Sequence, residues 1–354
     1  MPAMNASENF PPLSFMKSRR AVAYWLLAVA GVILMMITIG GLTRLTGSGL
    51  SITEWKPIMG ALPPMSDAAW ADVFAKYKQI PQYMLENRGM SLAEFKGIFW
   101  WEWGHRFLGR FLGVLFLIPF LWFAFTGAIK RSEWPRMLLL FVLGGLQGLI
   151  GWWMVQSGLE TRVSVSQYRL AIHLGAALIL LIAILWIALE YLRGGKSTGT
   201  SKRATVFIAL VYGQMMLGAL VAGLDAGLIY NTWPDMNGDI YPENAFYYSP
   251  WWINFFENQG LVQFNHRIGA YIVAGFAALI YVRGIKLGGY AKLSAKAIAI
   301  LTIFQVFLGI ATLLLVSPLW LSAIHQVVAA ALLCAAVWHA YEMRIHPHAS
   351  TGSA

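Results

Sequence analysis

The chain has 354 residues, of which 58% are hydrophobic and only 12% charged, with a mean hydropathy of +0.60. Soluble domains carry about a quarter charged residues, so this composition excludes an ordinary soluble fold and leaves a polytopic membrane protein. The net charge of +10 does not imply a nucleic-acid partner, because the basic residues gather at the ends of apolar runs.

Residues 1–21 read as a cytoplasmic tail. Glu8 and the nearby prolines break the Arg-rich pattern of an organelle transit peptide, so a bacterial inner membrane is the simpler address. The first apolar run, 22–41, is too long for a signal-peptide core and no A-x-A-like cleavage site follows it; it is expected to be a retained helix. Seven further runs, 107–126, 137–156, 170–192, 204–223, 267–285, 295–316 and 319–341, each reach the length of about 20 residues that crosses the hydrocarbon. The fold expected is all-α, with eight transmembrane helices.

The connections 42–104 and 224–265 are too long for turns and should fold over the helices. Lys17, Arg19 and Arg20 precede the first span, Lys130, Arg131 and Arg136 follow the second, Arg193, Lys196, Lys202 and Arg203 follow the fourth, and Arg283, Lys286, Lys292 and Lys296 follow the sixth. These segments alternate with Leu224 to Asn265 and Ser317 to Trp320, which contain no Lys or Arg. Both termini are therefore expected in the cytoplasm. Cys334, the single cysteine, permits no intramolecular disulfide and is read as a packing residue.

An internal repeat organises the chain. Gly49-Leu50, Trp55 and Gly60 match Gly227-Leu228, Trp233 and Gly238, and Gln147 and Gly151 match Gln305 and Gly309. Trp101 to Arg106 is echoed by Val262 to Arg267, and Ala171-Ile172-His173 by Ala323-Ile324-His325. Two pseudo-repeated four-helix halves are expected, 22–193 and 204–342, with a cytoplasmic linker 194–203 and a tail 343–354. The even-numbered spans all run inward, and His105, His173, His266 and His325 lie within about two turns of their starts, near the periplasmic side. Histidine is rare inside a bilayer and is a usual axial ligand of haem iron, so each pair can take both faces of one haem. His339, His346 and His348 do not fit this pattern. They are expected to be interfacial or solvated.

The halves differ at one position. Glu102 stands three residues before His105, whereas Gln263 stands three before His266. A carboxylate can act as general acid or base or stabilise a cation, while an amide only hydrogen-bonds. On this contrast the N-terminal half is read as reactive and the C-terminal half as an electron-carrying site; an interfacial acid at a helix start is the alternative for Glu102. Arg106 and Arg267 are candidate haem-propionate contacts or snorkelling groups. Arg110 lies deeper and needs an anionic partner or water. Phe99, Trp100, Trp101 and Trp103 form a pocket lining or an interfacial aromatic belt.

Gly41-Leu42-Thr43-Arg44-Leu45-Thr46-Gly47-Ser48-Gly49-Leu50, the stretch Glu94-Phe95-Lys96 through Trp101-Glu102-Trp103-Gly104-His105-Arg106, and Phe264-Asn265-His266-Arg267 resemble the haem A synthase family. The resemblance runs from about Ala21 to Tyr341 and is nearest the branch shared by α-proteobacteria and mitochondria. A second bacterial branch has paired cysteines in its outer loops, which this chain lacks.

The resemblance implies an oxidoreductase that turns a methyl group of haem o into the formyl group of haem a by successive hydroxylations and loss of water, for terminal oxidase assembly. It also implies that His266 and His325 ligate a permanent haem b, that His105 and His173 hold the substrate haem o, and that Glu102 is the essential acid. Haem o synthase, oxidase assembly factors, membrane lipid and a redox partner are the associates expected. The residues alone leave open a dihaem cytochrome exchanging electrons with quinone, or a haem transporter.

Overall fold

The computed structural model describes residues 13–194 and 201–345. Its helices are α1 (Leu13–Leu45), α2 (Asp67–Tyr77), α3 (Pro81–Leu85), α4 (Leu92–Phe125), α5 (Trp134–Gln156), α6 (Gln167–Arg193), α7 (Lys202–Gly223), α8 (Asn254–Glu257), α9 (Gln259–Gly284), α10 (Gly289–Leu314) and α11 (Leu319–Ile345). Among the described residues no strand forms beyond one isolated bridge between Met236 and Asp239. Eight helices, all but α2, α3 and α8, are long and apolar enough to cross a membrane. The protein is an all-α, multi-pass membrane protein.

The largest departure from the apolar runs is at α4. Its hydrophobic stretch begins near residue 107, yet the helix starts at Leu92. Ser91 caps it: the Ser91 hydroxyl accepts from Glu94 N, and Glu94 Oε2 accepts from Ser91 N. The added turns are amphipathic, a pattern that hydropathy does not register. Their apolar face, Phe95 and Phe99, packs against Trp70, Phe74 and Tyr77 of the first long connection. His105 consequently stands between three and four turns into α4, not at its start.

The long helices close two rings. α1 packs on α4, α4 on α5, α5 on α6 and α6 on α1; likewise α7 on α9, α9 on α10, α10 on α11 and α11 on α7. The rings meet where α1 and α6 pack against α11, and where α6 packs against α7. The shared core is built from stripes at helical spacing, such as Val22, Leu26, Val29 and Ile33 on α1 and Leu178, Leu181 and Ile184 on α6. Outward faces of α4 and α10, with Trp122, Ile303 and Phe307 exposed, present apolar surface to lipid.

Two expectations on α11 meet different outcomes. Cys334 is half-buried against the core cluster. His339, expected at an interface or in solvent, is instead buried, with its Nδ1 2.9 Å from Ser294 Oγ on α10. The buried hydroxyl supplies the partner that a dry imidazole needs. Lys196, His346 and His348, and most of both tails and of the linker, lie outside the described residues.

Candidate haem-binding sites

The four predicted histidines occupy opposite corners of the rings. α4 carries His105 and α6 carries His173; α9 carries His266 and α11 carries His325. Each half-buried imidazole lies over a glycine of a neighbouring corner helix. A methyl group on Gly40 would stand 3.1 Å from His105 Nε2, on Gly151 3.1 Å from His173 Cε1, on Gly218 3.2 Å from His266 Cε1, and on Gly309 3.0 Å from His325 Cε1. All are tighter than ordinary contacts. Absence of a side chain at these positions lets the imidazoles turn into the ring of helices.

The second pair has a geometry that can be compared with ligation. The ring centroids of His266 and His325 are 6.5 Å apart, with ring planes at 71°. Two imidazoles binding one metal from opposite sides, with metal–nitrogen bonds of about 2 Å, place their centroids about 6–7 Å apart. The spacing fits a shared iron. Buried polar atoms without partners accompany both pairs: Gln147 Oε1 and His173 Nδ1 in the first ring, and Gln214 Oε1, Gln305 Oε1 and His325 Nδ1 in the second. Such atoms call for a ligand or water. Among the described residues no group of three or more His, Cys, Asp or Glu comes together, whereas haem needs only a pair from the protein.

Glu102 and Gln263 are both buried, which removes the interfacial-acid reading of Glu102. Glu102 Oε2 accepts from Ser51 Oγ at 2.7 Å and Ile52 N at 2.8 Å, and Oε1 accepts from Arg106 Nε at 3.0 Å and Nη2 at 2.5 Å. Those four donors fill the roughly four lone-pair sites of a carboxylate. Gln263 makes the complementary clasp: its Nε2 donates to the carbonyls of Ala226 (2.8 Å) and Ile229 (2.6 Å), while its Oε1 accepts from Arg267 Nη2 at 3.0 Å. The first connection offers donors to an anion and the second offers acceptors to an amide. The Glu/Gln difference is thus matched by the loops above.

The arginines complete the clasps. Arg106 donates to the carbonyls of Ile52 (2.8 Å) and Glu54 (3.2 Å), and Arg267 to those of Tyr230 and Asp235, both at 2.7 Å. All three Arg106 nitrogens are engaged, while Arg267 Nε is buried without a partner. Arg110, expected to need an anion or water, instead donates to the carbonyls of Pro57 (2.7 Å) and Lys56 (2.9 Å). Residues 55–60 therefore form a strap, with Trp55 packed on Trp152 of α5 at 5.3 Å between ring centroids. Phe99 is committed to the loop core with Trp70, and Trp103 stacks on Phe107; Trp100 and Trp101 are exposed.

Charges on the connections are locally compensated. Hydrogen bonds from Lys56 and then Lys76 hold the Glu54 carboxyl below its ordinary range. The Thr232 hydroxyl and Gly238 N–H do the same for Asp235.

Sequence reasoning overlooked the cradle glycines Gly40 and Gly218 and the partners Gln214 and Ser51. A signal was present: Gly40 precedes Gly218 by 178 residues, the same offset that links Gly49 to Gly227. Gln305 and the pair Gly151/Gly309 were legible as parts of repeats but carried no role until the rings placed them beside histidines.

The family profile of the cytochrome oxidase assembly protein matches residues 23–337. The chain is similar to the haem A synthase of Parvibaculum lavamentivorans, with 48% identity over 346 residues, 97% of this chain and 98% of that protein. It is similar also to the haem A synthases of Azorhizobium caulinodans (50% over 329 residues, 92% and 94%) and Brucella ovis (49% over 328 residues, 91% and 92%).

Proposed function

The chain belongs to the cytochrome oxidase assembly protein family, and from that premise we propose that it is a membrane-embedded enzyme of haem biosynthesis that converts haem o to haem a. The reaction class is oxidation of a substrate methyl group to a formyl group. What carries the reading is a pair of imidazoles at opposite corners of each helix ring, in a chain about half identical to haem A synthases over nearly its whole length.

In this reading His266 and His325 are the axial ligands of a resident haem b, and His105 and His173 hold haem o as substrate. A haem at the second pair supplies one-electron transfer. Arg267, through its unpartnered Nε, is offered to a propionate, whereas Arg106, held by Glu102, Ile52 and Glu54, reaches one only by giving up part of its clasp. Glu102 is the acidic residue of the reactive half. With its carboxylate ringed by donors, it fixes a negative charge beside the substrate and clasps the first long connection; a proton can pass only when Ser51 or Arg106 lets go.

The division into halves 22–193 and 204–342, the cytoplasmic termini and the periplasmic depth of the histidines belong to the same proposal, as does the bacterial inner membrane. Haem o synthase, oxidase assembly factors and a redox partner are its expected associates. A dihaem cytochrome serving quinone is the competing reading, and it gives no reason for relatives that are haem A synthases.

The test is to express the chain in membranes that make haem o, extract the haems and separate them by chromatography and mass. Haem a should appear only with the chain. His266→Ala and His325→Ala should remove a stable low-spin haem b signal, and His105→Ala and His173→Ala should abolish haem a formation. Haem b alone, with no haem a in any preparation, would defeat the synthase reading and leave the cytochrome.

A further inference from the structure

Three of the four helices that cradle a histidine carry the same pair of residues, a glutamine one turn before the glycine. α5 has Gln147 and Gly151, α7 has Gln214 and Gly218, and α10 has Gln305 and Gly309. α1 breaks the pattern: Met36 stands where glutamine is due, one turn before Gly40. In the second ring the glutamines touch the imidazoles. Gln214 Nε2 lies 3.1 Å from His266 Nδ1 and donates to the His266 carbonyl at 2.8 Å, and Gln305 Nε2 lies 3.2 Å from His325 Nε2.

The other two positions behave differently. Gln147 Oε1 and His173 Nδ1 are both buried without partners, so no glutamine holds the histidine of α6. His105 lies over Gly40 of a helix that carries a thioether where the others carry an amide. Methionine sulfur is a weak acceptor and fixes neither tautomer nor ring orientation. A histidine that ligates through one nitrogen is ordinarily oriented by a hydrogen bond at the other, and losing that partner weakens metal binding by about 10–100-fold.

We propose that the Gln-x-x-x-Gly turns of α7 and α10 lock both histidines of the second ring, and that the first ring, with Met36 in place of the glutamine on α1 and no bond between Gln147 and His173, can exchange its haem while the second retains it. Gln214 is the positioning residue for His266: its Nε2, which faces Nδ1 at 3.1 Å, only donates, so ligation of iron through His266 Nε2 calls for the amide to turn and present its unpartnered Oε1 to the Nδ1–H. Met36 is the corresponding specificity element. This rests on the haem-ligand assignment above and adds to it a reason why one haem is substrate and the other cofactor. On α1 the change is a single side chain of similar volume, so it alters hydrogen bonding more than packing.

Release of haem from the purified full-length protein to a haem-scavenging globin tests it, read as decay of the bis-imidazole Soret band together with the midpoint potential. Gln214→Met should speed release of the retained haem by about 10–100-fold and shift its potential. Gln214→Glu, which keeps an acceptor, should restore slow release. Met36→Gln, made with the second ring intact, should raise the haem retained per chain through purification and slow turnover of haem o.

Wild-type release from Gln214→Met with an unchanged potential overturns the proposal while leaving the ligand assignment intact. So does unaltered haem content in Met36→Gln, the arm that decides if Gln214→Met fails to fold. Wild-type protein without any bis-imidazole haem overturns both readings together.

Discussion

Glu102 illustrates how a residue can be found by sequence and explained only by its neighbours. Its difference from Gln263 is visible in the chain, but burial and the four donors from Ser51, Ile52 and Arg106 recast it as both anchor and charge. Glu102→Gln places an amide N–H₂ among donors and strands a partly buried guanidinium; breaking a buried pair on one side destabilises by about 3–5 kcal/mol. We expect haem a formation to fall at least about 10²-fold, the lower end for a positioned acid or base, with haem in the second site retained. The ratio of haem a to haem o at matched protein level measures this. Near-normal haem a would take the carboxylate out of the mechanism. Amide exchange at Ile52 in the same variant separates loss of the clasp from loss of chemistry.

At the scale of elements, α4 does more than cross the membrane. Its extension outside the apolar run supports α2, and Arg110, one turn below Arg106, fastens the strap through the carbonyls of Lys56 and Pro57. Arg110→Met keeps an apolar stem but removes the donor of the Pro57 carbonyl and one of the two donors of the Lys56 carbonyl, both on exposed residues, a loss of about 0.5–1.5 kcal/mol for each hydrogen bond. Amide exchange at Gly60, whose N–H donates to Lys56 O at 3.0 Å, should quicken, and protease cleavage after Lys56 should increase. Equal protection in both proteins would mean that the Trp55–Trp152 contact alone holds the strap. The second ring has a lighter counterpart, in which Trp233 Nε1 donates to Tyr271 Oη at 3.1 Å.

Across the whole molecule, two rings share a central seam, and the proposal that all four histidines lie at a common depth on the periplasmic side rests on the charge pattern of the connections. Reporter fusions after Lys130 and Lys286 should read as cytoplasmic, and fusions near Asp67, Arg162 and Asn237 as external. A cytoplasmic reading near Asn237 would separate the two histidine pairs across the membrane and break the common-depth arrangement. The six basic residues of the first long connection, Arg44, Lys56, Lys76, Lys78, Arg88 and Lys96, do not argue against this topology, because the rule counts short loops and long connections translocate largely regardless of charge.

Composition and repetition alone were enough for the class, the eight spans, the four histidines and the Glu102/Gln263 contrast, because desolvation of a bilayer-crossing segment is a local property of about twenty residues. The start of α4 escaped that criterion, since its first turns are amphipathic and stabilised by a connection remote in sequence. Burial of His339 against Ser294, the loop carbonyls that receive Arg106, Arg110 and Arg267, and the glycine under each imidazole were decided by tertiary structure. Each depends on which helix stands beside which, and hydrogen-bond partners and steric vacancies between helices have no local signature until the rings close.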